Sequence, residues 1–72
     1  MKVTPSKREA NTWIATYFKG GECYAVKVHV APHLGRIDHG MINGPRATRS
    51  LDTNRNAKLC RKIESLIAAH AT

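Results

Sequence analysis

The feature that most constrains this chain is a strand hairpin centred on Gly20-Gly21. After the two glycines, residues 23–30 alternate with the period of two that is typical of a half-buried strand. Before them, residues 12–18 are aromatic and β-branched, as strands prefer. Two consecutive glycines supply the positive φ angles of a two-residue turn, so the two segments are predicted to pair as antiparallel neighbours.

A two-residue turn also sets the register of the hairpin. Tyr17 then faces Tyr24 and Ala15 faces Val26, which places both pairs on one face. That face is almost wholly apolar and is the predicted core side: Trp13, Ala15, Tyr17, Tyr24, Val26, Val28 and Val30. The opposite face is predicted to be exposed or to meet a partner: Thr12, Ile14, Thr16, Phe18, Cys23, Ala25, Lys27 and His29.

The second half of the chain predicts a further strand and a helix. Residues 31–45 are rich in Gly, Pro and Asn and are predicted as a long loop, with a short extra strand over residues 36–42 as an open alternative. Residues 46–51 predict a strand, and Asp52 or Thr53 is suited to cap the helix that follows. Apolar residues at helical spacing predict this helix from about Asn54 to His70: Leu59, Ile63, Leu66 and Ile67.

These elements predict an α+β fold. Residues 1–11 show no period and are predicted to be a flexible basic arm, and residues 12–72 a single β-β-β-α domain. An antiparallel sheet of three or four strands is expected to pack on one C-terminal helix. A chain of 72 residues buries only about 60% of its unfolded surface, so it sustains one such core. The predicted core residues are Trp13, Tyr24, Val26, Val28, Leu59, Ile63 and Ile67.

The charge distribution predicts a polyanionic partner. The chain has a formal net charge of +7, and Asp52 is the sole acid among six basic residues between Arg46 and Lys62. Such a surface attracts polyanions by counterion release, and arginine binds phosphate with two parallel hydrogen bonds. The first hypothesis is therefore a nucleic-acid-binding module for duplex DNA or structured RNA. The expected contacts are Lys7, Arg8, Thr16, Lys27, His29, Arg36, Arg46, Arg49, Arg55, Lys58 and Lys62.

A family resemblance points the same way. A strand with Trp13 and Tyr17, a glycine hairpin, and a strand-to-helix segment with Leu51, Thr53 and Ala57 follow one another in order. In these pieces the chain resembles the AP2-like, arm-type DNA-binding domain at the N-terminus of phage tyrosine recombinases (integrases). The resemblance implies three strands and a helix, with the open face of the sheet in the DNA major groove. In that family the second and third strands are joined tightly, whereas residues 31–45 intervene here.

A second hypothesis is a small phage-type inhibitor, anti-CRISPR-like or another host-takeover factor. Compact basic proteins of this length are typical of phages and mobile elements, and such a protein binds a host protein or a ribonucleoprotein complex. Salt-sensitive retention on DNA or heparin distinguishes this hypothesis from direct phosphate binding. Under either hypothesis we expect a monomer or small homo-oligomer with no membrane partner.

No enzyme, metal or cofactor is expected. The five acidic residues are scattered, and His29-x-x-x-His33 lacks the paired cysteines that usually complete a zinc site. Cys23 and Cys60 are expected to be free thiols in the host cell cytosol, because no secretory signal opens the chain. No apolar run approaches the roughly 18 residues of a membrane span.

Overall fold

The computed structural model describes residues 1–70 and shows a five-stranded antiparallel sheet with one helix. The strands are adjacent in sequence order: β1 (Lys2–Pro5), β2 (Thr12–Lys19), β3 (Glu22–Ala31), β4 (Arg36–Asn43) and β5 (Thr48–Ser50). The helix α1 spans Ala57–His70. The predicted α+β class is confirmed, with five strands rather than three or four. Residues 71–72, which the prediction assigned to the domain, lie outside the described residues.

The β2–β3 hairpin has the predicted register. Tyr17 pairs with Tyr24 and Ala15 with Val26, and the turn residues Gly20 and Gly21 have φ angles of 59° and 78°. L side chains rarely adopt such angles, so the turn sequence selects this two-residue connection.

The N-terminal residues do not form the predicted flexible arm. Lys2–Pro5 pairs with β2, and the side chain of Val3 is buried opposite Ala15. A four-residue strand with a single buried side chain is too short to show a period, which is why the sequence pattern did not reveal it. Residues 6–11 form the β1–β2 turn, where the hydroxyl of Ser6 accepts hydrogen bonds from the backbone N–H groups of Arg8 and Glu9.

Residues 31–45 are not a long loop either. They contain β4, which agrees with the alternative of an extra strand and leaves turns over residues 32–35 and 44–47. Gly40 is buried within β4 because its backbone lies against the backbone of Lys27 and Val28, and a Cβ there would also lie 3.2 Å from Leu51. The absence of a side chain at Gly40 therefore allows β3, β4 and Leu51 to pack closely.

The core lies between α1 and one face of the sheet. Ala15, Val26, Val28 and Ile63 are fully buried, and Trp13, Leu59 and Ile67 pack around them. Tyr24, predicted to be a core residue, lies outside this cluster. The reason is the path of α1, which packs against β1 and β4 and ends with the His70 ring 5.1 Å from that of Trp13.

The helix begins later than predicted. Asp52 accepts hydrogen bonds from the backbone N–H groups of Asn54 and Arg55, at 2.9 and 3.2 Å, and so stabilises a turn over residues 53–56. Asp52 thus caps this turn, and α1 starts at Ala57. No helix formed by residues 1–70 is long and apolar enough to cross a membrane.

Candidate nucleic-acid interface

Most of the basic side chains have no acidic partner within residues 1–70. Lys27 pairs with Glu9, and Arg46 pairs with Glu22 at 3.4 Å. These are two of the twelve Lys and Arg residues, and the other ten form no ion pair with a carboxylate of residues 1–70. The excess positive charge of the sequence is therefore largely uncompensated in the fold.

The strand register divides the expected contact residues between two surfaces. Thr16, Lys27 and His29 lie on the face of the sheet that points away from α1, the open face. Arg49 pairs with Ile42, which pairs with the fully buried Val26, so Arg49 lies on the helix side. The single contact surface expected from the sequence is thus split, because one sheet face cannot present both groups.

The open face is not strongly cationic. The hydrogen bond that Lys27 donates to Glu9 holds the pKa of this carboxyl below its ordinary value, and the pair neutralises the charge of Lys27. His29 contacts the buried Thr12 hydroxyl at 3.1 Å and stacks on His39 with ring centroids 4.3 Å apart. Three large apolar side chains are exposed on this face: Ile14, Phe18 and Met41.

The remaining expected contacts lie at several places. Lys7 and Arg8 are in the β1–β2 turn, at the end of the sheet opposite the Gly20-Gly21 turn. Arg36 begins β4 and lines a groove with Arg61 between β4 and the N-terminal half of α1. Lys58 and Lys62 are exposed on α1.

At the hairpin tip, α1 leaves part of the helix side of the sheet uncovered. The rings of Tyr17 and Tyr24 stack there, with centroids 5.4 Å apart and planes 13° apart. Burial, with a smaller effect of Tyr24, raises the pKa of the Tyr17 hydroxyl, so it is neutral at physiological pH. A groove connects the two rings to the turn before α1. Its charged lining consists of three cations and two carboxylates: Lys19, Arg49, Arg55, Glu22 and Asp52.

A smaller pocket adjoins Tyr24 and opens toward the turn over residues 44–47. Its lining consists of Glu22, Tyr24, Ile42, Gly44, Pro45, Arg46, Ala47 and Arg49. Glu22 organises one wall, since its two carboxylate oxygens accept hydrogen bonds from the Tyr24 hydroxyl at 3.3 Å and from Arg46 at 3.4 Å. The Tyr24 ring and the Arg46 guanidinium are thereby held around one opening.

Sequence reasoning placed Tyr17 and Tyr24 on the core face and so missed them as site residues. Tyr17 does pack against the core cluster, whereas Tyr24 lies outside it. Both tyrosines lie on the same face as buried residues of their strands, so the period of two in the sequence placed them on the core side. The one available signal for Tyr24 was its place close to the hairpin turn.

Within residues 1–70, no group of three or more His, Cys, Asp or Glu side chains is arranged to hold a metal ion. Comparisons of the chain with protein-family models, with curated proteins and with solved structures find no match.

Proposed function

We propose that this protein is a nucleic-acid-binding module whose phosphate contacts lie on the β4–α1 side of the molecule. The observation that carries the proposal is a set of six exposed cations without an acidic partner in the described chain. We call it the basic surface, and it consists of Arg36, Arg49, Arg55, Lys58, Arg61 and Lys62.

Within residues 1–70, the acids nearest to the basic surface form no ion pair with it. Asp52 accepts two backbone N–H groups of the turn before α1, and Glu64 accepts the backbone N–H of Ile37 at 2.9 Å. The first turn of α1 contains no acid. Like charges on one helix face repel by a few tenths of a kcal/mol per pair, so a polyanion that neutralises them is favoured as a partner.

The proposal is tested by fluorescence anisotropy with labelled oligonucleotides over a range of salt concentrations. We expect binding that weakens steeply with salt, because each phosphate contact releases counterions and contributes about 0.7 to 0.9 to the logarithmic slope. Arg49→Glu should weaken binding and flatten this slope. The matched control is Lys2→Glu, which makes the same charge change at an exposed position of the open face.

Two outcomes contradict the proposal. An equal loss in Lys2→Glu and Arg49→Glu would show that the basic surface is not the contact, and would favour the open face that the recombinase resemblance implies. An absence of binding to any nucleic acid at low salt would reject the function itself. A protein-binding inhibitor would then take its place, and the exposed apolar side chains of the open face, Phe18 above all at 78% exposure, favour that second function.

A further inference from the structure

The pocket beside Tyr24 exists because residue 44 has no side chain. Tyr17 on β2 and Gly44 after β4 flank Tyr24 of β3 on opposite sides. A Cβ at position 44 would lie 3.1 Å from the Tyr24 ring, and so would occupy the side that Tyr17 leaves free. Gly44 does not have the positive φ that favours glycine. The limited space beside the Tyr24 ring, rather than the backbone conformation, therefore explains why residue 44 is a glycine.

The walls of this pocket suit a planar heterocycle. The Tyr24 ring offers a π face, and Ile42 and Pro45 add apolar surface. Arg49 lines the same opening, as does Arg46, whose guanidinium pairs with Glu22. An aromatic face beside arginine is the arrangement that binds unpaired bases, since every base has a π face and the adjoining phosphate is an anion.

The groove beyond the pocket provides a path for the rest of a strand. It continues past the stacked tyrosines to Lys19 and Arg55, and Arg49 lines both the groove and the pocket. Arg49 also belongs to the basic surface, so one side chain joins the base pocket to the phosphate contacts. A base within a duplex is covered by its neighbours on both faces and cannot enter such a pocket without leaving the stack.

We infer that the pocket beside Tyr24 holds one unpaired base, and that this protein binds single-stranded nucleic acid across the hairpin tip. The inference rests on the proposed function and specifies its substrate. It differs from the expectation of duplex DNA or structured RNA, which followed from placing both tyrosines in the core.

The test compares three labelled probes of equal length: oligothymidylate, the same backbone with abasic sites, and a duplex. Anisotropy titrations at one salt concentration should show the tightest binding for oligothymidylate. Tyr24→Leu should lower affinity for oligothymidylate about 5- to 150-fold, the range for loss of one stacked base, and leave abasic binding unchanged. Gly44→Val, which fills the pocket but keeps Tyr24, should have the same effect.

The matched control is Phe18→Leu, because Phe18 is an exposed aromatic residue of the same hairpin on the opposite face. It should bind all three probes like the wild type. Equal wild-type affinity for oligothymidylate and the abasic strand, or tighter binding of the duplex, overturns the base pocket but leaves the proposed function standing. No binding of any probe at low salt overturns both. The wild-type comparison needs no variant, so it holds even where a substitution impairs folding.

Discussion

The carboxylate of Glu64 on α1 accepts a hydrogen bond from the backbone N–H of Ile37 in β4, over 2.9 Å. β5 pairs with β4 only from Met41 to Asn43, so the first half of β4 is outside the β4–β5 ladder. Glu64 therefore ties the helix to a strand segment that β5 does not reach. A part-buried backbone N–H without a hydrogen-bond acceptor lowers the stability of the fold, and Glu64 supplies the acceptor for Ile37.

Replacing Glu64 by Ala should lower the free energy of unfolding by about 1–3 kcal/mol, since it leaves the Ile37 N–H without its acceptor. Glu64→Gln keeps an acceptor oxygen and should recover part of this loss. Urea denaturation measures both, and Ser65→Ala, an exposed neighbour on α1, is the control with little expected effect. Equal urea midpoints for Glu64→Ala and Ser65→Ala would show that the hydrogen bond from Ile37 to Glu64 does not stabilise the fold.

Truncation of Ile63 should be the most damaging single change in the helix. Its side chain is 0% exposed and packs in the centre of the core cluster. Ile63→Ala should cost about 2–5 kcal/mol, a large share of the stability of a small domain. Leu34→Ala removes a similar side chain that is 73% exposed, and it should melt close to the wild-type temperature. Similar thermal midpoints for the two variants would be inconsistent with the helix-on-sheet core.

The two cysteines should differ in reactivity. Both are free, Cys23 being exposed on the open face and Cys60 buried under the sheet. Burial, with a smaller contribution from Glu64, raises the pKa of the Cys60 thiol, so little reactive thiolate forms. In a reaction with a chromogenic disulfide, one thiol should react fast and one only on unfolding. Cys23→Ser should abolish the fast phase, and a fast phase that persists would contradict this assignment.

Acid should weaken the contact between Lys27 and the β1–β2 turn. The pKa of Glu9 is lowered chiefly by the hydrogen bond from Lys27, so its ionised form favours the fold. This contribution is present above the unfolded carboxyl pKa of about 4.3 and is lost as pH falls through the lower folded value. An NMR titration of Glu9 should show Lys27→Met raising this pKa, whereas Lys2→Met should not. An unchanged Glu9 titration in Lys27→Met would show that Lys27 is not the cause.

The hairpin and the helix stripe were predictable because their signals are local. The period of two in residues 23–30 and the turn at Gly20-Gly21 specify one register without reference to any other part of the chain. The spacing of Leu59, Ile63 and Ile67 likewise specifies which side of α1 faces the sheet. The uncompensated charge between Arg46 and Lys62 was also visible in the sequence.

The tertiary structure decided how these pieces combine. Val3 is a core residue only because β1 pairs with β2. Gly40 lies inside β4 because β3 and Leu51 pack closely against its backbone. Arg49 faces the helix side because the register passes from β3 through β4 to β5, and a shift of one residue would reverse its face. Tyr24 borders a pocket instead of the core because the path of α1 over β1 and β4 leaves the hairpin tip open. These positions depend on pairing and packing between segments distant in sequence, and such contacts leave no periodic signal in any one segment.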